Sequence, residues 1–135
     1  MRVEKKSYIE IQKEGDIVLA RKMGRELSKS LFYNSINQAK IITAVSELGR
    51  NMYYYAGSGK ITFEILRKKQ KIGIKITASD NGPGIQDINK ALEPGYTTSG
   101  GLGVGLPGVS KLMDEFFIES TVGVGTTITI VKWHS

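Results

Sequence analysis

The spacing of hydrophobic residues in the first part of the chain predicts one strand followed by a helix. Apolar and polar residues alternate over residues 7–11, which is typical of a half-buried strand. Asp16 can cap the next helix, in which apolar residues recur every three or four positions until about Phe32. The face that they share comprises Ile17, Ala20, Met23, Gly24 and Leu27.

A second helix is predicted to begin at Ser35. Ser35 and Gln38 match a capping box, in which two side chains satisfy free amide groups at the start of a helix. Gly57 and Gly59 are expected to end this helix. Its buried stripe is expected to comprise Ile41, Ile42, Val45, Leu48 and Met52.

The middle of the chain predicts a β-hairpin. Residues 60–66 and 71–78 alternate between apolar and polar side chains with a period of two. The second of these strands runs directly into Asp80. The hairpin therefore places a carboxylate at the end of a strand.

The last part of the chain predicts a third helix and a final hairpin. Pro107 suits the first turn of a helix that reaches about Met113. Residues 116–120 and 126–131 then form strands around a turn at residues 123–125. Because no repeat, low-complexity tract or linker interrupts these elements, we expect a single α/β domain over residues 1–135.

The composition limits the kinds of site that the chain can build. It has no cysteine and one histidine, His134, which excludes a disulfide framework and a thiolate or histidine metal cluster. Any metal must therefore be held by oxygen atoms. The apolar runs are too short to cross a bilayer, and residues 1–13 contain no apolar stretch of the signal-peptide type. We expect a cytoplasmic protein without a membrane partner.

The net charge of +6 and the pI near 9.5 raise the possibility of nucleic-acid binding. However, lysine and arginine are spread along the chain, and the densest run, residues 67–71, lies between two predicted strands without interleaved aromatic residues. This run is interpreted as a solvated hairpin end. A basic surface could equally steer nucleotides or an acidic protein partner. We expect no nucleic-acid partner, although charge alone keeps that hypothesis open.

Two polar residues on the second helix could form part of a catalytic site. Glu47 and Asn51 lie four positions apart, so their side chains project from the same helix face. An asparagine oxygen suits Mg²⁺, and a carboxylate can accept the proton of an attacking hydroxyl. The alternative is that both are simply polar positions on an exposed helix face.

Two glycine-containing segments could bind a ligand. After Asp80, Gly82 and Gly84 permit close approach of the backbone, and a buried carboxylate can recognise an exocyclic amine. Residues 93–106 are glycine-rich and lead into a predicted helix start, where amide groups can bind phosphates. An ordinary turn and an ordinary surface loop remain the alternatives. Rossmann, phosphate-loop and bilobal protein-kinase motifs are incomplete in this sequence.

Taken together, four segments resemble the N, G1, G2 and G3 boxes of the GHKL ATPase/kinase superfamily over nearly the whole chain. They are residues 47–51, 80–85, 100–106 and 123–127. The resemblance implies an α/β two-layer sandwich, in which helices pack on one face of a mixed sheet in a Bergerat-type ATP-binding fold. ATP would lie between the helices and a lid.

The resemblance also implies roles for individual residues. Glu47 would be the general base, Asn51 would ligate Mg²⁺, and Asp80 would bind the adenine amino group. The residues that would bind the cofactor are Asn51, Asp80, Gly82, Gly84, Ile85, Thr97, Thr98, Ser99, Gly100, Gly101, Leu102, Gly103, Val104, Gly105, Leu106 and Thr126.

Within that superfamily, residues 49–57, 96–109 and 112–115 look most like RsbT-type switch kinases of the stressosome. Histidine kinases tend to have a lysine where this chain has Tyr54, and anti-sigma kinases usually have a histidine where it has Tyr55. The chain also leaves no room for the helical dimerisation region of a sensor kinase.

The resemblance implies an ATP- and Mg²⁺-dependent serine/threonine kinase that phosphorylates STAS-domain scaffold proteins. After release, the kinase would bind a PP2C-type phosphatase or another effector in stress signalling. One alternative is an anti-sigma kinase that binds a sigma factor and phosphorylates an anti-anti-sigma STAS protein. Another is a binding module that uses ATP without phosphotransfer.

Three consecutive tyrosines, residues 53–55, follow the N-box segment. Their amphipathic rings could form a docking surface, but tyrosine is more often wedged between a helix and a sheet. We expect at least two of the three to lie in the core.

Overall fold

The computed structural model describes residues 1–93 and 105–134. Five of its elements are strands of one sheet, in the order β1-β2-β3-β5-β4. The elements are β1 Arg2–Ile11, α1 Gly15–Ser30, α2 Ser35–Asn51, a π-helical turn Met52–Ala56, β2 Gly59–Lys68, β3 Lys71–Asp80, α3 Ile88–Ala91, α4 Gly105–Leu112, β4 Glu115–Thr121 and β5 Gly125–Trp133.

The helices cover one face of the sheet, as predicted for a two-layer α/β fold. The strand register places Phe63, Ile76 and Ile130 side by side on the covered face, where each is at most 1% exposed. Helices α1, α2 and α4 contribute to the same core cluster. Full burial of a side chain such as Phe63 stabilises the fold by about 1.5–3 kcal/mol. Because polar and apolar residues alternate along the strands, the apolar residues gather on one face of the sheet, and the helices cover that face.

The prediction of a mixed sheet is wrong for the described strands. All four pairings, β1 with β2, β2 with β3, β3 with β5 and β5 with β4, are antiparallel. Strand β4 does run in the same direction as β3, because both are antiparallel to β5. However, β5 lies between these two strands and pairs with both. Strands β3 and β4 are therefore parallel in direction but share no hydrogen bonds as a parallel pair.

The start of α2 differs from the predicted capping box. The capping side chain is that of Asn34, whose Oδ1 accepts a hydrogen bond of 2.8 Å from the Asn37 amide. Gln38 donates through Nε2 to the Tyr33 carbonyl at 2.7 Å. Asparagine and serine are almost equally good caps, so the sequence alone did not distinguish neighbouring candidates.

Asp16 also acts differently from the prediction. It lies in the first turn of α1, and its Oδ2 accepts hydrogen bonds from the amides of Gln12 at 2.9 Å and Lys13 at 3.1 Å. These backbone donors, Gln12 first, lower the pKa of Asp16. The carboxylate therefore fixes the connection from β1 to α1 rather than capping the helix.

The expectation that at least two of the three tyrosines lie in the core is wrong. Tyr53 packs against the core, but Tyr54 and Tyr55 are 54% and 55% exposed. Met52 already fills the space beside the sheet, where it covers Gly59. The π-helical turn then ends at Gly57 with a φ of 81°. The last two tyrosines therefore extend beyond the core.

The short helix α3, which the sequence did not predict, begins at Asp87, whose Oδ1 accepts from the Lys90 amide at 3.0 Å. Residues 68–71 at the end of the β2–β3 hairpin are exposed, which confirms a solvated turn. Within residues 1–93 and 105–134, no helix is long and apolar enough to span a membrane.

Candidate functional site

A cavity of about 510 Å³ opens between α2 and the end of β3. This volume is within the usual range for small-molecule sites. The wall is mostly apolar and carries a few polar groups. It is lined by Leu48, Asn51, Met52, Tyr55, Ala56, Ala78, Asp80, Pro83, Gly84, Ile85, Gln86, Asp87, Lys90, Leu106, Thr126 and Ile128.

Asp80 presents a carboxylate to this cavity from the last position of β3. Its Oδ1 accepts hydrogen bonds from the amides of Gly82 at 2.9 Å and Thr126 at 3.3 Å. Within the described part of the chain, both donors go to Oδ1, so Oδ2 is left to accept from a ligand. A fixed carboxylate oxygen on a largely apolar wall suits an amino group.

The turn after Asp80 needs glycine at two positions because other atoms approach closely. A Cβ atom at Gly82 would lie 2.5 Å from Cβ of Ala56. At Gly84 it would lie 2.5 Å from the Thr121 carbonyl oxygen, and Gly84 also has a φ of 79°. Side chains at these positions would therefore push this segment away from the π-helical turn that follows α2 and from the β4–β5 hairpin.

Ser120 joins the turn to the β4–β5 hairpin, and sequence reasoning missed it. Its hydroxyl accepts a hydrogen bond of 2.7 Å from the Ile85 amide and lies 2.8 Å from Oγ1 of Thr126. Ser120 pairs with Thr126 across the hairpin. Ser120 could have been recognised in the sequence as the polar partner of Thr126, but only if the register of the two strands had been known. Thr126 therefore meets the cavity with its hydroxyl already held by Ser120.

Glu47 and Asn51 lie on the same helix as predicted, but they meet different surroundings. Asn51 lines the cavity. Glu47 does not: its side chain is 0% exposed, and its carboxylate is paired with the Arg50 guanidinium. Its Oε2 also accepts from the Gly105 amide at 3.3 Å. This contact joins α2 to the start of α4.

The predicted site residues are only partly brought together by the described structure. Asn51, Asp80, Gly84, Ile85, Leu106 and Thr126 line the cavity. Gly82 and Gly105 are not among the lining residues, but their amides donate hydrogen bonds to Asp80 and Glu47, respectively. The predictions for Thr97, Thr98, Ser99, Gly100, Gly101, Leu102, Gly103 and Val104 lie outside the described residues. The chemical roles assigned to all these residues stay predictions.

The cavity also has polar wall residues that sequence reasoning did not single out, including Gln86, Asp87 and Lys90. Asp87 caps α3, and Lys90 lies on that helix. An ammonium group at the wall can balance the charge of a phosphate. Sequence patterns contain little signal for these residues, because a helix of four residues is too short to show a hydrophobic period.

The donor set bears on which metal could bind here. Among the described residues, no group of three or more His, Cys, Asp or Glu side chains could hold a metal ion. Among the described residues of α2 that line the cavity, Asn51 is the one whose side chain contains a neutral oxygen. Such a site fits Mg²⁺, which usually retains several waters and completes its shell with nucleotide phosphates.

Comparison with known proteins relates this chain to one family of ATPases. The family model for histidine kinase-, DNA gyrase B- and HSP90-like ATPases matches residues 36–134. The serine/threonine-protein kinase RsbT of Bacillus subtilis is 53% identical over 127 residues, which cover 94% of this chain and 96% of the relative. An anti-sigma F factor of Caldanaerobacter subterraneus is 37% identical over 101 residues, which cover 70% of this chain and 69% of that protein.

Solved structures with low sequence identity share the fold. The RsbU and RsbW domains of a Mycobacterium tuberculosis protein match with a TM-score of 0.63 and 17% identity. That match covers 96% of this chain but only 32% of the longer protein. The catalytic domain of the histidine kinase ThkA matches with a TM-score of 0.52 and 17% identity, covering 95% of this chain and 96% of that domain.

Proposed function

Because this chain belongs to the family of histidine kinase-, DNA gyrase B- and HSP90-like ATPases, we propose that it is an ATP-dependent serine/threonine protein kinase. One observation of the site carries the proposal: Asn51 from α2 and Asp80 from β3 line the same cavity. The kinase class is supported by the 53% identity to RsbT over almost the whole of both chains.

ATP would bind with its adenine at Asp80 and its phosphates towards the start of α4. Oδ2 of Asp80 would accept from the adenine amino group, since the Gly82 and Thr126 amides occupy Oδ1. Asn51 would hold Mg²⁺ together with phosphate oxygens and water. Mg²⁺ would neutralise charge that develops on the transferred group. Residues 97–106 would contribute amides to the phosphates.

Phosphotransfer would use Glu47 as the general base. In the described structure this carboxylate is buried and accepts from two donors, Arg50 and the Gly105 amide. The serine or threonine hydroxyl must therefore reach Oε2 when the start of α4 moves away from it. Catalytic hydrogen bonds are often formed only in the complex with substrate, so the present contact is compatible with this role.

The substrates that we propose are STAS-domain scaffold proteins, and the released kinase would then bind a downstream effector such as a PP2C-type phosphatase. The names of the relatives, a protein kinase and an anti-sigma factor, support a regulatory role with protein partners. We place the reaction in the cytoplasm, where ATP is available, and assign it to residues 1–135 as one kinase domain. An anti-sigma role is the second candidate, since the similarity to anti-sigma F factors extends over 70% of the chain.

The proposal is tested by incubating the purified protein with γ-labelled ATP, Mg²⁺ and candidate STAS proteins. We expect label on a serine or threonine, which mass spectrometry of the product would locate. Glu47→Gln should retain ATP binding and lower the transfer rate by about 10²- to 10⁴-fold, because it removes the proton acceptor.

Two results would contradict parts of this proposal. Undiminished transfer by Glu47→Gln would remove Glu47 as the base. Binding of ATP and of a sigma factor, without phosphate on any STAS protein, would favour an ATP-gated anti-sigma module. Glu26→Gln on the exposed face of α1 provides the control for the loss of one negative charge.

A further inference from the structure

The environment of Glu47 depends strongly on one neighbouring side chain. Glu47 is 0% exposed, and a buried ionised carboxylate is costly unless a positive group pairs with it. Among the described residues, the side chain that pairs with it is Arg50, one helical turn further along α2. The Arg50 side chain is itself 33% exposed, so its guanidinium lies at the boundary between the core and solvent.

The two donors reach different oxygen atoms of Glu47. Arg50 donates to Oε1, and the Gly105 amide donates to Oε2 over 3.3 Å. The latter is longer than the usual N–H···O distance of about 2.9–3.0 Å. A charge-assisted bond from a guanidinium is also roughly twice as strong as a neutral one. The bond to Gly105 is therefore the one that an incoming hydroxyl can replace.

We infer that Arg50 is a positioning residue for phosphotransfer, which holds Glu47 by Oε1 and presents Oε2 to the acceptor hydroxyl. This inference rests on the proposed function, in which Glu47 is the base. One guanidinium nitrogen, Nη2, donates to Oε1, and the rigid planar group limits the positions from which it can donate, whereas a lysine ammonium would act as a point charge. Arg50 thus determines which oxygen takes the proton.

The transfer step balances without a proton from Arg50. The hydroxyl proton of the acceptor passes to Oε2 of Glu47 as the hydroxyl oxygen bonds to the γ-phosphorus. The bond from the γ-phosphorus to the bridging oxygen breaks, and its electron pair leaves with ADP. The guanidinium keeps its protons throughout, because arginine is not deprotonated in proteins.

The direct test compares Arg50→Met and Arg50→Lys in steady-state kinetics with ATP·Mg²⁺ and the STAS acceptor found by labelling. We expect Arg50→Met to lower kcat by about 10²-fold, which corresponds to loss of a correctly placed base, and to leave KM for ATP within about twofold. Arg50→Lys should recover part of kcat. A raised KM for ATP with an unchanged kcat would overturn the inference, since it would mean that Arg50 contacts the nucleotide.

A double-mutant cycle separates action through Glu47 from an independent effect. If Arg50 acts only through Glu47, adding Arg50→Met to Glu47→Gln should change the residual rate by less than about twofold. A further loss as large as in the unmodified protein would overturn the inference. If Glu47→Gln abolishes transfer while Arg50→Met does not, this inference fails and the proposed function stands. If Glu47→Gln transfers normally, the proposed base fails first.

A matched control is available at another arginine–glutamate pair. Arg67 on β2 donates through Nε to Oε1 of Glu4 at 2.7 Å, outside the residues that line the cavity. Arg67→Met should leave kcat and KM within about twofold. Thermal unfolding of each variant checks folding. Should Arg50→Met fail to fold, Arg50→Lys decides the matter: we expect a lower kcat with KM for ATP retained, and an unchanged kcat would overturn the inference.

Discussion

Two ends of the same sheet carry cavities, and they differ in how their polar groups are held. The cavity at Asp80 measures about 510 Å³, and the one at the opposite end measures about 680 Å³. We call the latter the basic end; it is lined by Lys68, Lys69, Gln70, Lys71, Glu115 and Trp133. Nine strand positions from Lys71 to Asp80 separate the two ends by about 30 Å.

At and near the Asp80 cavity, hydrogen bonds hold both carboxylates in place. Asp80 is held by amides from the following turn and from β5, and Glu47 by Arg50 and the start of α4. At the basic end, the four hairpin residues 68–71 are exposed. Nε1 of Trp133 donates a hydrogen bond of 2.7 Å to Oε2 of Glu115, and Nζ of Lys71 lies 5.8 Å from the centre of the Trp133 ring. The larger cavity thus has the less constrained chemistry, so volume alone does not identify a site.

The largest expected effect lies in base recognition at Asp80. A carboxylate that faces an amino group should reject a base with a carbonyl at that position, so we predict that ATP binds on the order of 10⁴-fold more tightly than GTP. Asp80→Asn should reduce this preference, because an amide can present a donor to the carbonyl. Isothermal titration with both nucleotides would measure this. Equal affinities in the unmodified protein would show that Asp80 does not recognise the base.

The matched change at the basic end is Lys71→Ala. It removes a charged group at the first position of β3, as Asp80→Asn does at the last. We expect it to leave both nucleotide affinities within about twofold. A loss of ATP affinity in this variant as large as that in Asp80→Asn would break the distinction between the two ends.

A smaller effect is expected from the close approach around Gly84. Gly84→Ala combines a φ of 79° with a Cβ atom 2.5 Å from the Thr121 carbonyl oxygen, whereas Gly123→Ala has a φ of 80° with nothing within 4 Å. Backbone strain costs about 1–2 kcal/mol at both positions. The clash should therefore appear as an additional loss of stability and ATP affinity in Gly84→Ala alone. Chemical unfolding and titration with ATP measure both quantities, and equal effects of the two variants would contradict the close packing seen here.

The sequence predicted those parts of the fold that depend on local period. The apolar stripe of α2 specifies its own buried face, so Leu48 was assigned correctly to the core, and the alternation in residues 60–66 and 71–78 correctly predicted two strands. The mixed sheet was wrong because pairing is non-local: nothing near β5 in the sequence states that it lies between β3 and β4. The exposed positions of Tyr54 and Tyr55 were missed for a similar reason, since they depend on the π-helical turn.

The candidate site shows the same division. Glycine and carboxylate motifs indicated Asp80, Gly84 and Asn51, which do line one cavity. Arg50 and Ser120 were missed, because their importance comes from contacts with Glu47 and with the Ile85 amide. The burial of Glu47 also could not be foreseen from helix periodicity, since a charged residue normally predicts an exposed position.

The smallest effect is expected at Lys69, where a substitution should change backbone strain at the basic end without changing ATP binding. Lys69 has a φ of 56°, a conformation that glycine adopts without strain. Lys69→Gly should relieve about 1–2 kcal/mol of strain and lose about 0.5–1 kcal/mol through greater freedom of the unfolded chain. We therefore expect a net stabilisation of about 0.5 kcal/mol by chemical unfolding. Gln70→Gly, at a neighbour without positive φ, should instead destabilise the protein. Because this turn lies about 30 Å from Asp80, ATP affinity should stay unchanged in both variants, and a loss in Lys69→Gly would mean that the basic end takes part in the nucleotide site.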